Sequence, residues 1–160
     1  MKIAFVIPKD DDQHNPQNQY AQGRIFPPVG LARMAGIVGR QASVAVVDER
    51  IEPTNHSQKA QIAIIFINSY NQQRACDLAR YYHAIGCLVV MTGPMLSNTT
   101  ELAYNVADCL LIGAGENNLP DFLADYRKGK TKRFYRCTGN NSVSEQNTFM
   151  IDDTHFSLAS

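Results

Sequence analysis

Residues 88–119 read LVVMTGPMLSNTTELAYNVADCLLIGAGENNL. Two apolar runs, LVVM at 88–91 and CLLI at 109–112, each lead into glycine, at Thr92-Gly93-Pro94 and at Gly113-Ala114-Gly115-Glu116. Runs this apolar, without alternation, suit strands of a parallel sheet that is covered on both faces. Strand, glycine turn and helix, twice over, is the simplest reading. In such sheets ligands sit beyond the carboxyl ends of the strands, where these two turns fall. Glycine there admits positive φ and the close approach of a ligand. The plainer reading is that it only turns the chain.

The rest of the chain repeats the pattern. KIAFVIP at 2–8, SVAVVD at 43–48 and QIAIIFIN at 61–68 read as three more strands. A helix opens at Pro27-Pro28, where proline's missing N–H costs nothing. Its face carries Leu31, Met34, Ala35 and Val38 at helical spacing. A second helix spans 71–85, with Gly86 as its C-terminal cap. Asn98 with Glu101 three residues on is a capping-box variant opening a third. A fourth spans 119–128, with Pro120 in its first turn and Arg127, Lys128 and Lys130 at the negative end of its dipole. Five strands alternating with helices predict an α/β, doubly wound parallel sheet with right-handed connections. The expected form is flavodoxin-like (Rossmann-like), three-layered, with strand order 2-1-3-4-5. Its ligand edge collects residues 9–26, 68–71, 92–98 and 113–118. We assign residues 1–137 to this domain and the polar stretch 138–160 to a tail or linker.

The chain has 160 residues, 44% of them hydrophobic, enough for one domain with a core. Fifteen Lys and Arg balance fifteen Asp and Glu, so no net field favours nucleic acid or an anionic membrane as partner. The apolar runs are too short to span a bilayer, and Met1 opens directly into a strand-like run, so the expected location is cytoplasmic. Cys76, Cys87, Cys109 and Cys137 have no metal-ligand spacing. Cys87 and Cys109, in or beside strands, read as small buried hydrophobes.

Known ligand loops can be tested against the residues. There is no Gly-x-x-x-x-Gly-Lys-Ser/Thr phosphate loop, and Gly113-Ala114-Gly115 follows the fifth strand without a third glycine. Lys9-Asp10-Asp11-Asp12 after the first strand would repel a flavin phosphate. A response-regulator receiver would place Asp and Lys where Asn68 and Gly113 stand.

With those set aside, the chain resembles the cobalamin (B12)-binding domain found at the N-terminus of B12-dependent radical S-adenosylmethionine enzymes. The resemblance covers residues 1–136. It rests on Pro27-Pro28-Val29-Gly30-Leu31, Val47-Asp48, Thr92-Gly93-Pro94, Ile112-Gly113-Ala114-Gly115-Glu116, Lys130 and Phe134-Tyr135-Arg136, in that order. It implies a corrin ring across the carboxyl edge of the sheet, with a nucleotide tail dropping beside it. By the resemblance, Asn68, Ser69 and Tyr70 meet the tail or ring edge. Gly93 and Pro94 line the tail's slot, Gly113, Gly115 and Glu116 contact nucleotide hydroxyls or corrin amides, and Thr92 and Ala114 complete the implied cofactor-binding set. A large flat ligand rich in amides needs an edge free of bulk and rich in backbone donors.

Two departures qualify what the resemblance implies. The Asp-x-His-x-x-Gly motif of the methionine-synthase type of domain is broken, because Asp12-Gln13-His14 runs into Asn15, Pro16 and Gln17. A bound cobalamin would then lack a protein His ligand. The Cys-x-x-x-Cys-x-x-Cys run of the radical cluster is absent, so the chain is not catalytic alone and would serve a radical S-adenosylmethionine domain or protein. The alternatives are a cofactor-free interaction or regulatory module of the same fold, or a binder of a different nucleotide at this edge. No nucleophile–base pair points to a hydrolase. His14, His56 and His155 read as solvated loop and His83 as helix surface; the Tyr81-Tyr82 pair reads as packing. Glu116 reads equally as a helix-end charge and as a ligand contact.

Overall fold

Three apolar runs lie side by side at the centre of the sheet: β1 (Lys2–Ile7), β3 (Ile62–Phe66) and β4 (Leu88–Thr92). All three are parallel, with Ile3 opposite Ile62 and Ala63 opposite Val89. β2 (Ser43–Asp48) flanks β1, and β5 (Cys109–Ile112) and β6 (Phe134–Arg136) follow β4, for an order of β2-β1-β3-β4-β5-β6. The helices are α1 (Val29–Val38), α2 (Gln72–Ala84), α3 (Thr100–Val106) and α4 (Gly115–Arg127). This computed structural model describes residues 1–11, 29–39, 41–51, 56, 59–94, 96 and 100–136. Most of the 9–26 loop, Pro27-Pro28, His14, Asn98, Cys137, His155 and the 138–160 segment lie outside the described residues.

The α/β flavodoxin-like fold with order 2-1-3-4-5 is present, extended by one strand. Each central strand is buried on both faces, which is why its sequence does not alternate. Val6, Ile65, Met91 and Leu110 pack with Leu78 and Tyr82 of α2 and Ala103 of α3. Phe5, Ile64, Val90 and Leu111 pack on the other side with Met34 of α1 and Leu119 and Phe122 of α4. β2 is an edge strand and less covered, with Val46 exposed.

The right-handed connections expected for five strands hold in the β1–α1–β2, β3–α2–β4 and β4–α3–β5 units; the added sixth strand departs from them. β3, β4, β5 and β6 advance across the sheet in one direction. α2 and α3 cross on one face, but α4 crosses on the other, beside α1. The β5–α4–β6 unit is therefore opposite in hand to the three helix-bearing units before it, against the strong preference for right-handed crossovers. The reason is coverage. Without α4, the apolar row of Ile64, Val90 and Leu111 would face water on that side.

β6 itself was not expected, being three residues in a run of cations. It is held by side chains as much as by its ladder. Arg133 donates to the carbonyls of Ala107 (2.5 Å) and Tyr104 at the end of α3, and its guanidinium lies 4.2 Å from the Tyr104 ring centre. The Tyr135 hydroxyl donates to Asp125 on α4 at 3.1 Å. α4 also starts a turn earlier than expected. Gly113 (φ 89°) reverses the chain and the Asn118 side chain donates to the Ile112 carbonyl at 2.9 Å, so helix begins at Gly115 and Pro120 falls inside it.

Cys87 and Cys109 are buried as expected, and Cys76 joins them. Burial pushes the Cys109 thiol up to about 11, so it stays protonated. Among the described residues, no helix is long and apolar enough to cross a membrane.

Candidate functional site

The loops after β3, β4 and β5 meet at the carboxyl edge of the sheet, and they bring all ten expected site residues to it. After β3, the Asn68 carboxamide oxygen accepts from the Tyr70 and Asn71 amides at 2.7 and 3.1 Å. Asn71 returns the contact, accepting from the Asn68 amide at 2.8 Å and donating to the Phe66 carbonyl at 3.2 Å. This interlocked turn engages Asn68 in its own backbone and leaves Ser69 and Tyr70 exposed.

After β4, Thr92 is buried and its hydroxyl donates to the Leu111 carbonyl at 3.3 Å. Gly93 lies against the backbone of Ile67: a Cβ at 93 would stand well inside contact with the Ile67 carbonyl oxygen and 2.9 Å from its carbon. Gly93 is thus filled against by this chain's own strand, not by an open slot. Pro94 beyond it is exposed. After β5, Gly113 and Ala114 are exposed, whereas Gly115 is buried against the Thr92 side chain and the end of Met34. Glu116, in the first turn of α4, pairs with Arg33 of α1 at 3.5 Å and lies over Gly30.

Beside this edge lies a polar cluster that the sequence reading missed. Asp11, after β1, accepts from the Gln73 and Arg74 amides, both at 3.0 Å, while its own amide donates to the Tyr70 carbonyl at 2.6 Å. Asp11 caps α2 across the chain, because the local cap Asn71 is engaged in its turn. The anion-favouring end of α2 is filled by this carboxylate. Glu49, at the end of β2, accepts from Arg74 Nε at 3.0 Å and from the Lys9 amide at 3.2 Å, and lies 2.8 Å from His56 Nε2. Burial opposes its charge, but Arg74, Lys9 and His56 outweigh that and hold its carboxyl down at about 2. His56 Nδ1 lies 2.9 Å from the Tyr82 hydroxyl. His56 is therefore not the solvated loop residue expected; it ties the β2–β3 connection to α2. Burial first, with Glu49 among the nearby charges, pushes the Tyr82 phenol above its usual range. The only local signal for this cluster was the acid run 10–12, which sequence alone ties to no partner.

Between α2 and α3 a cleft of about 290 Å³ opens beside Ser69, lined by Asp11, Gln72, Gln73, Cys76, Arg80 and Leu102. The edge is therefore a low, largely neutral rim of exposed Ser69, Tyr70, Pro94, Gly113 and Ala114, with Glu116 paired at one side.

No family model matches the chain. It is similar to an uncharacterized methyltransferase of Synechocystis sp., with 26% identity over 116 residues, covering 71% of this chain and 22% of that protein. The chain thus spans about a fifth of that relative's length.

Proposed function

We propose that this domain carries a corrinoid at the carboxyl edge of its sheet and presents it to a methyl-transferring partner domain or protein of the radical S-adenosylmethionine type. The observation that carries the reading is the low rim. Gly93 seated on Ile67 and Gly115 seated on Thr92 draw the β4 and β5 loops down onto the strand ends. A broad neutral ligand with peripheral amides fits such a rim, since exposed backbone groups of Gly113 and Ala114 and the polar tips of Ser69 and Tyr70 offer hydrogen bonds without a charge to neutralise. When bound, a corrinoid supplies a cobalt-held methyl group; the protein's part is to hold the ring flat and keep its far face open. The cleft beside Ser69 offers room for the tail, in place of the slot expected at Gly93. The name of the Synechocystis relative supports methyl transfer as the setting, and unpaired buried thiols support the cytoplasm.

The test is retention of hydroxocobalamin. The purified chain is incubated with it and desalted, and the visible spectrum is read. Corrin absorbance that travels with the protein in a base-off form supports the reading, and none at high micromolar concentration ends it. A second reading, a cofactor-free interaction module, is favoured by one observation: Gly93 and Gly115 are both accounted for by contacts within the chain. Absence of retention would leave that reading standing.

A further inference from the structure

A balanced composition gives the chain no net field, yet one segment holds a local excess. Residues 121–136, DFLADYRKGKTKRFYR, carry six cations against two carboxylates. They form the second half of α4, the turn after it and β6. Arg127, Lys128, Lys130, Lys132 and Arg136 are exposed. Arg133 is spent on the carbonyls of Ala107 and Asp108, and Lys132 pairs with Asp125 at 3.1 Å. Arg127, Lys128, Lys130 and Arg136 pair with no carboxylate among the described residues. The end of α4 adds about half a negative charge, which offsets only part of this excess. The turn is fixed by its backbone: the Gly129 amide donates to the Tyr126 carbonyl at 3.0 Å and the Lys130 amide to the Asp125 carbonyl at 2.9 Å. Gly129, at φ 65°, permits that closure.

We infer that this basic turn is a docking surface for a nucleic-acid strand, held by its phosphate backbone without reading of its bases. Two observations choose the occupant. None of the exposed large apolar side chains among the described residues falls within 121–136. A protein partner is anchored by buried apolar or aromatic side chains, and stable membrane binding takes an inserted group besides a basic patch. A phosphate backbone needs cations alone. Arginine also stands with the lysines. Arg127 heads the turn, exposed and with only the neutral Gln41 side chain as partner, and Arg136 ends β6. A guanidinium fork matches phosphate geometry. Indifference to sequence follows from the rings. Phe134 is half-buried and stacked on Tyr104, with centres 5.7 Å apart, Tyr126 is half-buried beside Phe122, and Tyr135 is buried. No exposed ring in this segment offers a base a platform. α4 runs thirteen residues from the rim to this turn, about 20 Å, so the inference does not depend on what the rim holds.

The experiment uses the full chain and fluorescent oligouridylate over a series of salt concentrations. The wild type is expected to bind, with log affinity falling linearly as log salt rises. Lys128→Gln combined with Lys130→Gln is expected to weaken binding about tenfold near physiological salt and to flatten that slope by about 1.4, the share of two phosphate contacts. Lys9→Gln, beyond the carboxyl end of β1, is expected to change neither. Oligoadenylate is expected to bind within a few-fold of oligouridylate. Circular dichroism establishes that each variant folds. No binding by wild type, an unchanged slope in the double variant, an equal loss on Lys9→Gln, or a large preference between the two oligonucleotides overturns the inference. So does tighter binding of poly-L-glutamate or of phosphatidylserine vesicles through the same two lysines, which would make the surface one for acidic protein or for a membrane.

Discussion

The Gly93 α-carbon rests on the backbone of Ile67, so closely that a methyl group at 93 would stand 2.9 Å from the Ile67 carbonyl carbon and closer still to its oxygen. The neighbour is backbone continuing from a central strand, so it cannot rotate away. The Ile67 amide is itself tied to the Thr92 carbonyl at 2.9 Å.

Gly93→Ala is therefore expected to destabilise the fold by about 1–3 kcal/mol, the usual cost of overpacking. The check is the urea midpoint. An unchanged midpoint would show that the β4 loop can lift. For the same reason, loss of ligand in a bulky Gly93 variant says nothing about a slot, because the domain itself is disturbed.

Gly115 makes a different kind of close approach. A Cβ there would press on the Thr92 hydroxyl oxygen, a group that mutation can remove. Gly115→Ala is expected to cost about 1–3 kcal/mol in the wild type and distinctly less in a Thr92→Ala background. A double-mutant cycle read by chemical denaturation measures the difference. Strict additivity of the two changes would refute the contact.

Asp11 does for α2 what a local N-cap does for most helices. Asp11→Ala is expected to cost about 1 kcal/mol, within the usual range for a lost cap. Asp11→Asn keeps an acceptor and is expected to recover most of it. Thermal melts of the three proteins decide this; an Asn variant no better than Ala would point to charge instead of geometry.

Glu49 sets an acid limit to stability. Its carboxyl lies at about 2 in the fold, below its ordinary value of 4.5. A carboxyl lowered on folding contributes stability that is complete above the ordinary value. That contribution is lost as pH falls toward the folded one. The loss between about pH 5 and pH 2 is on the order of 3 kcal/mol. Glu49→Gln is expected to be less stable at neutral pH and to show a flatter acid limb. Denaturation midpoints across this pH range test it, and parallel profiles for the two proteins would reject it.

Arg133 is the fastener of the last strand. Arg133→Ala is expected to cost about 1–3 kcal/mol, since it strands carbonyls at the end of α3. Arg133→Lys cannot reproduce a fork that reaches both Tyr104 and Ala107 while lying over a ring. Amide exchange should quicken across Phe134–Arg136 in both variants. Protected β6 amides in the Ala variant would show that the backbone ladder suffices.

The sequence by itself determined the central sheet. The runs at 2–7, 62–66, 88–92 and 109–112 are apolar on both faces, and only a covered parallel sheet buries both faces at once. The glycine bends named the edge where three loops converge, because backbone conformation is a local property that a residue type can announce. Tertiary structure decided the rest. What Gly93 rests on, which helix Asp11 caps, how His56 joins Glu49 to Tyr82, and on which face α4 crosses all depend on residues far apart in the chain coming within a few ångströms. Such contacts exist only once the sheet has formed.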